Sequence, residues 1–235
     1  MQIRCLAVLF MENQLTDLRY QKNNKTRVNV YLDGNFAFGL DSEIASKLKI
    51  GQTLNLEFIA SLKDEDILKV AYRKAIEFIA YRQRTEYEVT QKLLSGNYSE
   101  QVINNVINKL KECHLVDDEN YASQWIENRS ATKPRSRRQL SYELKKKGIS
   151  SEIIDRAMEM AEDEKLLAYN AAIKKAHRFK ELDWINFKKK LTAHLLYRGF
   201  TYGTIDPVIS KVWQEVHENS TVGNTMEYEV RKNDN

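Results

Sequence analysis

Apolar residues along most of this chain recur at helical spacing, and three stretches of the pattern repeat with a fixed offset. Each stretch consists of an apolar pair, a short turn, and an apolar row of the i, i+3, i+4, i+7 type that marks one buried helix face. Successive copies lie 51 positions apart, as Leu140 and Leu191 do (191 − 140). A fixed offset held over two intervals indicates an internal repeat. The pairs are Val89/Leu93, Leu140/Leu144 and Leu191/Leu195, and the rows are Ile103/Val106/Ile107/Leu110, Ile154/Ala157/Met158/Ala161 and Ile205/Val208/Ile209/Val212.

Each copy places a tight turn between its last two helices. The residue at the end of the helix before the turn suits a left-handed backbone conformation, which glycine adopts freely and asparagine tolerates. Two positions later a hydroxyl residue is suited to cap the next helix, and the residue between them is apolar, as in a hydrophobic staple. The three turns read Asn97-Tyr98-Ser99, Gly148-Ile149-Ser150 and Gly199-Phe200-Thr201.

The first 60 residues follow a different pattern. Gln2–Met11 is a mostly apolar run that predicts a strand, and Arg27–Leu32 alternates polar and apolar residues. Asp33-Gly34 follows directly and predicts a type I′ hairpin turn. We further expect a short helix over Ser42–Leu48, capped by Asp41, and an alternating strand over Thr53–Ile59.

These patterns predict a mainly α protein with three tandem three-helix repeats, preceded by a small β-rich module. Helices of about 14 residues span roughly 21 Å, so the repeats are expected to form an elongated, curved array. The long helix that opens the repeats is predicted over Ser61–Gln83 and the last one over Tyr202–Val216. The predicted domains are 1–60 (β-rich module), 61–116, 117–162 and 163–218 (the three repeats), and 219–235 (a flexible acidic tail).

Composition favours a cytoplasmic protein without catalytic chemistry. The chain has 235 residues, of which 42% are hydrophobic and 30% are charged, and no apolar run approaches the ~18 residues of a membrane span. Its two cysteines cannot build a disulfide framework. The four histidines lack metal-ligand spacing, and neither a G-x-x-x-x-G-K-[ST] nor a G-x-G-x-x-G motif occurs. We therefore expect no enzymatic activity, no metal and no cofactor.

Positive charge is concentrated in the second and third repeats, although the formal net charge is only +4. Lys133–Lys147 holds seven basic residues and one acid, Glu143, and Lys174–Arg198 holds eight lysines and arginines against two acids. A solvated helix face would explain most lysine runs. Clustered arginines instead favour phosphate or carboxylate recognition. Three of them stand at one predicted helix start, where they oppose the helix dipole unless an anionic partner is present: Arg135, Arg137 and Arg138.

The repeats resemble the RecX family, which regulates the RecA recombinase. The second repeat carries the resemblance in Asp117-Asp118, Ala122–Arg129, Arg138-Gln139-Leu140, Glu143-Leu144 and Lys147-Gly148-Ile149. Further matching residues are Arg82-Gln83-Arg84-Thr85 in the first repeat and Leu195–Phe200, Ile205 and Val208-Ile209 in the third. Arg27–Leu32 with Asp33-Gly34 and Phe36–Gly39 is similar to the N-terminal extension of longer Gram-positive members. The link Thr132–Ser136 departs from the family, since it lacks the glycine often found there.

The resemblance implies a non-enzymatic regulator that binds the RecA–single-stranded DNA filament and modulates its ATPase and strand exchange, with inhibition as the expected direction. It would contact single-stranded DNA directly or through the filament. No spare apolar helix face demands a dimer, so a monomer is expected. From charge alone, the predicted contact residues are Arg82, Arg84, Lys133, Arg135, Arg137, Arg138, Lys188, Lys189 and Arg198.

Two other functions remain open at this point. Three-helix units can contain helix-turn-helix geometry, which would suit a stand-alone DNA-binding regulator. Such a protein binds naked DNA with a steep dependence on salt. A helical-repeat scaffold for another protein is the third hypothesis, and it predicts no dependence on DNA.

Overall fold

The structure, a computed structural model, describes residues 13–230, with side chains through His217. The chain forms two compact units. The first comprises the residues through Arg84 together with Glu88–Val116, and the second comprises Thr85–Tyr87 and the chain from Asp117 onward. Over residues 13–230, every helix is too short or too polar to cross a lipid bilayer.

The first unit begins with a four-stranded antiparallel sheet in the order β3-β2-β1-β4. The strands are β1 (Asn13–Gln21), β2 (Asn24–Leu32), β3 (Asn35–Asp41) and β4 (Thr53–Leu54). Asp33 and Gly34 have φ values of 49° and 79°, which confirms the predicted hairpin between β2 and β3. The sequence pattern did not predict β1. The strand predicted at residues 2–11 lies outside the described residues.

The strand predicted over Thr53–Ile59 is wrong beyond Leu54, because a long helix begins there. Helix α1 (Ser42–Ala45) has the expected Asp41 cap but ends before Leu48. Helix α2 (Leu56–Ala80) begins at an Asn55 cap whose side chain accepts the Phe58 amide proton. Leu56 and Phe58, which the strand pattern would bury, are half exposed, whereas Ile59 and Leu62 are buried. Burial at positions i and i+3 is the helical period.

Helix α2 serves two hydrophobic cores. Its first turns place Ile59 and Leu62 among the buried side chains of the sheet. Its later turns place Ala71 and Ala75 in the core of the first repeat, with α3 (Glu86–Leu94) and α4 (Glu100–Glu112). The β-rich module and the first repeat therefore share one helix rather than meeting at residue 60.

A buried ionic network joins the sheet to α2. Arg27 donates twice to the Asp66 carboxylate, at 2.6 and 2.8 Å, and the Asp41 amide donates to the same carboxylate at 2.6 Å. The Asp41 carboxylate is itself paired with Lys69 at 2.8 Å and Arg73 at 3.1 Å. Burial alone would raise the pKa of Asp41, but hydrogen bonds from Lys69 and the Glu43 amide bring its pKa below the ordinary value.

The second unit contains six helices within its described residues: α5 (Asp118–Thr132), α6 (Arg137–Lys146), α7 (Ser151–Glu159), α8 (Glu164–Ala176), α9 (Trp184–Tyr197) and α10 (Tyr202–Val230). A single 3-10 turn, His177–Phe179, follows α8. Helix α7 stops before its predicted end at Glu162. Helix α10 continues past Val216 to Val230, so its backbone is helical where the sequence predicts a frayed tail.

One continuous core runs through both repeats of the second unit. The repeated apolar pairs supply Leu140, Leu144, Leu191 and Leu195, all with 0% exposure. Two of the three predicted hydroxyl caps are confirmed, because the hydroxyls of Ser99 and Ser150 each accept an amide proton three residues ahead. The Thr201 hydroxyl lies 3.3 Å from the Thr204 hydroxyl. The 51-residue spacing thus reflects a repeated set of buried and capping positions, as the sequence indicates.

The glycine turns of the second unit lie against helix starts. Gly148 has a φ of 78°, and a Cβ atom placed on it would be 2.2 Å from Cβ of Tyr87. Beside it, the hydroxyl of Thr85 donates to the Lys147 carbonyl at 2.7 Å. Gly199, with a φ of 91°, lies against Ser136. Glycine is required at both positions, because the backbone has a positive φ and because a neighbouring side chain lies too close for a Cβ atom. Only the positive φ could be predicted from the sequence.

Candidate partner-binding surface

The connection between α5 and α6 is held against the turn between α9 and α10. The Ser136 amide donates to the Arg198 carbonyl at 3.1 Å, and the Arg198 guanidinium donates to the Pro134 carbonyl at 2.7 Å. From α8, Lys174 donates to the Ala131 carbonyl at 2.6 Å. The loop without glycine, at which the sequence departs from the family, is thus fixed by backbone contacts to the third repeat.

Basic residues gather at this contact, and we call Arg135, Lys174, Lys175, His194 and Arg198 the junction cluster. Nε of Arg198 donates to Nε2 of His194 at 3.0 Å, which requires that nitrogen to be unprotonated. Burial lowers the pKa of His194, and the nearby charges of Arg198 and Lys175 lower it further. Burial and the charge of Arg135 likewise lower the pKa of Arg198. The local potential is therefore positive, which favours an anion.

Glu143 is an acidic residue that contacts the junction cluster through Arg135. Its carboxylate accepts from Nε1 of Trp125 and from Arg129, both at 3.0 Å, and pairs with Arg135 at 3.0 Å. The Arg129 guanidinium also lies 4.4 Å from the Trp125 ring centroid. Trp125 therefore packs within the protein, as the sequence suggests, and Glu143 neutralises part of the arginine charge.

Arg137 is satisfied within its own unit. Its guanidinium donates to the carbonyls of Met158, Ala161 and Glu162 at the end of α7, and its amide donates to the Glu164 carboxylate at 2.8 Å. Carbonyl groups of the same unit therefore stabilise the positive charge of Arg137 at the start of α6. The Glu143 carboxylate stabilises the charge of Arg135. The sequence argument that an external anion is needed applies only to Arg138.

The remaining predicted residues are in different environments. Lys133, Arg138 and Lys189 are exposed, and their side chains make no ion pair with another described residue. Lys188 pairs with Asp206 at 3.0 Å, with both side chains about half exposed. In the first unit, Arg82 pairs with Glu88 at 2.9 Å, and the Arg84 guanidinium lies 3.9 Å from the centroid of the Phe78 ring.

The structure thus brings together only part of the predicted set. Arg135 and Arg198 meet in the junction cluster, with Lys133 in the same connection. Lys174, Lys175 and His194 belong to the cluster but were not singled out from the sequence, although all three lie in the basic run Lys174–Arg198. Such a surface can bind phosphates or carboxylates. Within the described part of the chain, no group of His, Cys, Asp and Glu side chains could hold a metal ion.

Family models match the chain along most of its length. The model described as "Regulatory protein RecX N-terminal domain" matches residues 13–57. The models for the first, second and third three-helix domains of RecX match residues 71–110, 117–158 and 162–209.

Individual relatives give the same result. A protein named "Regulatory protein RecX" from Clostridium acetobutylicum is 32% identical over 220 residues, which cover 87% of this chain and 98% of that protein. A protein of the same name from Clostridium tetani is 32% identical over 206 residues, which cover 85% of this chain and 94% of that protein.

Two solved structures share the fold. A crystal structure of regulatory protein RecX has a TM-score of 0.64 at 25% identity, over 83% of this chain and 98% of that one. The crystal structure of RecX from Lactobacillus salivarius has a TM-score of 0.56 at 30% identity, over 63% of this chain and 97% of that one. These matches confirm the predicted mainly α fold with three three-helix repeats and a small N-terminal sheet.

Proposed function

This chain belongs to the RecX family of regulatory proteins, and we propose that it acts by binding the RecA–single-stranded DNA filament. In this proposal it is a non-enzymatic, cytoplasmic monomer that lowers the ATPase and strand-exchange activity of the filament. The observation that carries it is the cationic surface of the second unit, on a chain that matches RecX in all four of its domains.

The physical basis is the sum of several weak contacts. Lys133, Arg138 and Lys189 are exposed cations, and the junction cluster adds partly buried positive charge beside the first of them. Each phosphate contact is modest and depends on salt. On a polymer with repeated subunits, later contacts form at the high effective concentration set by the first, so the total affinity is large.

We exclude Arg137 from the proposed contact set and retain the exposed Lys133, Arg138 and Lys189 as its primary members. Arg135 and Arg198 have internal partners but are only partly buried, so they remain proposed secondary contacts. The guanidinium of Arg137 is committed to three carbonyls of its own unit, so a partner would have to break those bonds. Arg82, Arg84 and Lys188 have intramolecular contacts but retain exposed surface, and they remain proposed secondary contacts.

The test is ATP hydrolysis by the RecA of the same organism on single-stranded DNA, with this protein at substoichiometric amounts. We expect a lower rate with the wild-type chain. We expect little effect from the triple variant Lys133→Glu/Arg138→Glu/Lys189→Glu. The matched control, Lys22→Glu/Lys25→Glu/Lys49→Glu, makes the same change in net charge at exposed positions of the first unit and should inhibit like the wild type.

Two results would contradict the proposal. If the wild-type chain leaves hydrolysis unchanged but binds naked DNA tightly with a steep salt slope, the protein is a stand-alone DNA-binding regulator. If it affects neither RecA nor DNA, the repeats are a scaffold for another partner.

A further inference from the structure

The outer face of helix α6 presents a tyrosine surrounded by cations. Leu140 and Leu144 point into the core with 0% exposure, whereas Tyr142 between them is 52% exposed. Residues three and four positions away are the neighbours of a side chain on a helix. For Tyr142 these are one partly buried amide, Gln139, and three exposed cations. We call Tyr142 and the three cations the α6 face; the cations are Arg138, Lys145 and Lys146.

The ring of Tyr142 already contacts one of these cations. The Lys146 ammonium lies 4.8 Å from the ring centroid. A cation over one face of an aromatic ring leaves the other face for a flat partner. The side chains of Arg138 and Lys145 make no ion pair with another described residue. The α6 face therefore offers both a ring surface and charges that the protein does not neutralise.

The only acid of α6 lies away from this face. The Glu143 side chain is 14% exposed, and its carboxylate is bound to Trp125, Arg129 and Arg135. Like charges one turn apart destabilise a helix. Lys145 and Lys146 are in the last turn, where the helix dipole offsets part of this cost, but at Arg138, near the helix start, the dipole adds to it. A bound polyanion would remove the repulsion.

The internal repeat shows that the fold does not require the α6 face. The positions 51 residues later, in α9, hold one cation among Lys189, Ala193, Leu196 and Tyr197. The positions 51 residues earlier, in and just after α3, hold no cation, since they are Tyr87, Gln91, Leu94 and Ser95. Three cations around a central aromatic residue are thus particular to α6, although all three helices bury the same apolar pair.

We propose that Tyr142 stacks on a base of single-stranded DNA while Arg138, Lys145 and Lys146 bind the phosphates on either side of that base. The inference takes from the proposed function that single-stranded DNA is the anionic partner. It names a surface that touches the DNA directly, and it adds three residues to the exposed Arg138.

The composition of the α6 face favours a single strand over a protein or a duplex. Single-stranded DNA presents unpaired bases and phosphates in alternation, which suits an aromatic ring between cations. The centre of a protein interface is instead apolar and depleted in lysine. The α6 face has two lysines and no aliphatic residue. In a duplex the bases are already stacked on one another, so the ring of Tyr142 would gain nothing there.

The test measures binding of the full-length protein to a labelled oligothymidylate and to a DNA duplex of the same length, over a series of salt concentrations. Tyr142→Ala removes the ring, and Tyr142→Phe retains it. Lys145→Ala/Lys146→Ala removes two of the cations. The matched control is Tyr81→Ala, because Tyr81 is 89% exposed at the end of α2 in the first unit. Because all of these side chains are exposed, the circular dichroism should not change.

We expect Tyr142→Ala to weaken binding to the single strand about tenfold at every salt concentration, which is the effect of losing one stacked base. The slope of log affinity against log salt should not change, because no phosphate contact is removed. Affinity for the duplex should stay within about twofold. Tyr142→Phe and Tyr81→Ala should bind the single strand within about twofold of the wild type.

The lysine variant should give a different signature. Lys145→Ala/Lys146→Ala should reduce the salt slope on the single strand by about 1.4, the value for two lost phosphate contacts. A ring that stacks and lysines that bind phosphates are thus separated by whether the salt slope changes.

Four outcomes would overturn the inference. The wild type could fail to bind naked oligothymidylate, or Tyr142→Ala could bind it as tightly as the wild type, and in either case the ring contacts no base. An equal loss on single strand and duplex would show that Tyr142 acts without stacking. A loss on RecA filaments with unchanged affinity for the naked single strand would assign the ring to a RecA protomer. The oligonucleotide assays contain no RecA, so a wild type that binds as expected but leaves RecA hydrolysis unchanged would reject the proposed function and support this inference.

Discussion

Gly199 and Ser136 are in direct contact: a Cβ atom placed on Gly199 would lie 2.6 Å from Oγ of Ser136. Gly199 belongs to the third repeat, and Ser136 is the N-cap of α6 in the second repeat. Ser136 is fully buried, and its hydroxyl accepts the Gln139 amide proton at 3.1 Å. The last turn of one repeat therefore closes over the helix cap of the repeat before it.

This contact predicts that Gly199→Ala destabilises the second unit by about 2 kcal/mol or more. About 1 kcal/mol comes from the left-handed backbone and the rest from overlap with Ser136. Denaturant unfolding followed by tryptophan fluorescence measures this loss of stability, because Trp125, Trp184 and Trp213 are all in that unit.

The control is Gly51→Ala in the first unit, whose unfolding is followed by circular dichroism. Gly51 has a φ of 88° with no neighbour within 4 Å, so only the backbone term of about 1 kcal/mol is expected. Equal losses would contradict the proposed overlap.

Arg137 and Arg138 are adjacent in sequence but should give opposite results. Arg137→Ala leaves three carbonyls at the end of α7 without their donor, so we expect a loss of about 1–3 kcal/mol in unfolding free energy. Filament affinity of the folded protein should be unchanged. Arg138→Ala, at an exposed position, should leave stability within about 0.5 kcal/mol and reduce filament affinity. A reversed pattern would return Arg137 to the contact set.

His194 should make the second unit less stable in mild acid. Its pKa is lowered in the folded state, chiefly by burial and then by Arg198 and Lys175, so the unfolded chain binds the proton at higher pH. Stability present above the ordinary pKa of 6.5 is therefore lost as the pH falls below it. Unfolding at pH 7.5 and 5.5 measures the difference, which His194→Gln should reduce. The exposed His177 gives the control, and His177→Gln should retain the full difference.

The ionic network of the first unit predicts a second, more acidic transition. The folded-state pKa of Asp41 lies below its ordinary value of 3.8, so its charge contributes stability above pH 3.8 that is lost as the pH falls through the lower folded value. Asp41→Asn keeps a residue that can cap α1 but removes the charge, and should lower stability at pH 7 by about 1–3 kcal/mol. At pH 3 the effect should shrink. Glu43→Gln, which alters an exposed partner of Lys69, should change stability little.

The sequence by itself determined the features that depend on local chemistry. The caps at Ser99, Ser150 and Asp117, the left-handed turns and the Asp33-Gly34 hairpin were all predictable, because each is fixed by a few neighbouring residues. The repeated buried positions were predictable as well, since helical periodicity marks the face that leaves water. The family resemblance, whose residues include Asp117, Gly148 and the Asp33-Gly34 hairpin, was confirmed by the matches.

Only the tertiary structure decided the features that depend on distant partners. The alternation over Thr53–Ile59 suits a strand, but burial of Ile59 and Leu62 against the sheet selects a helix from Leu56. Arg137 and Arg138 carry the same charge, and the end of α7 reaches only one of them. The exposure of Ile185 and Leu196 on α9 was likewise not predicted, because helical periodicity marks the residues that the core needs and leaves exposed apolar positions unassigned.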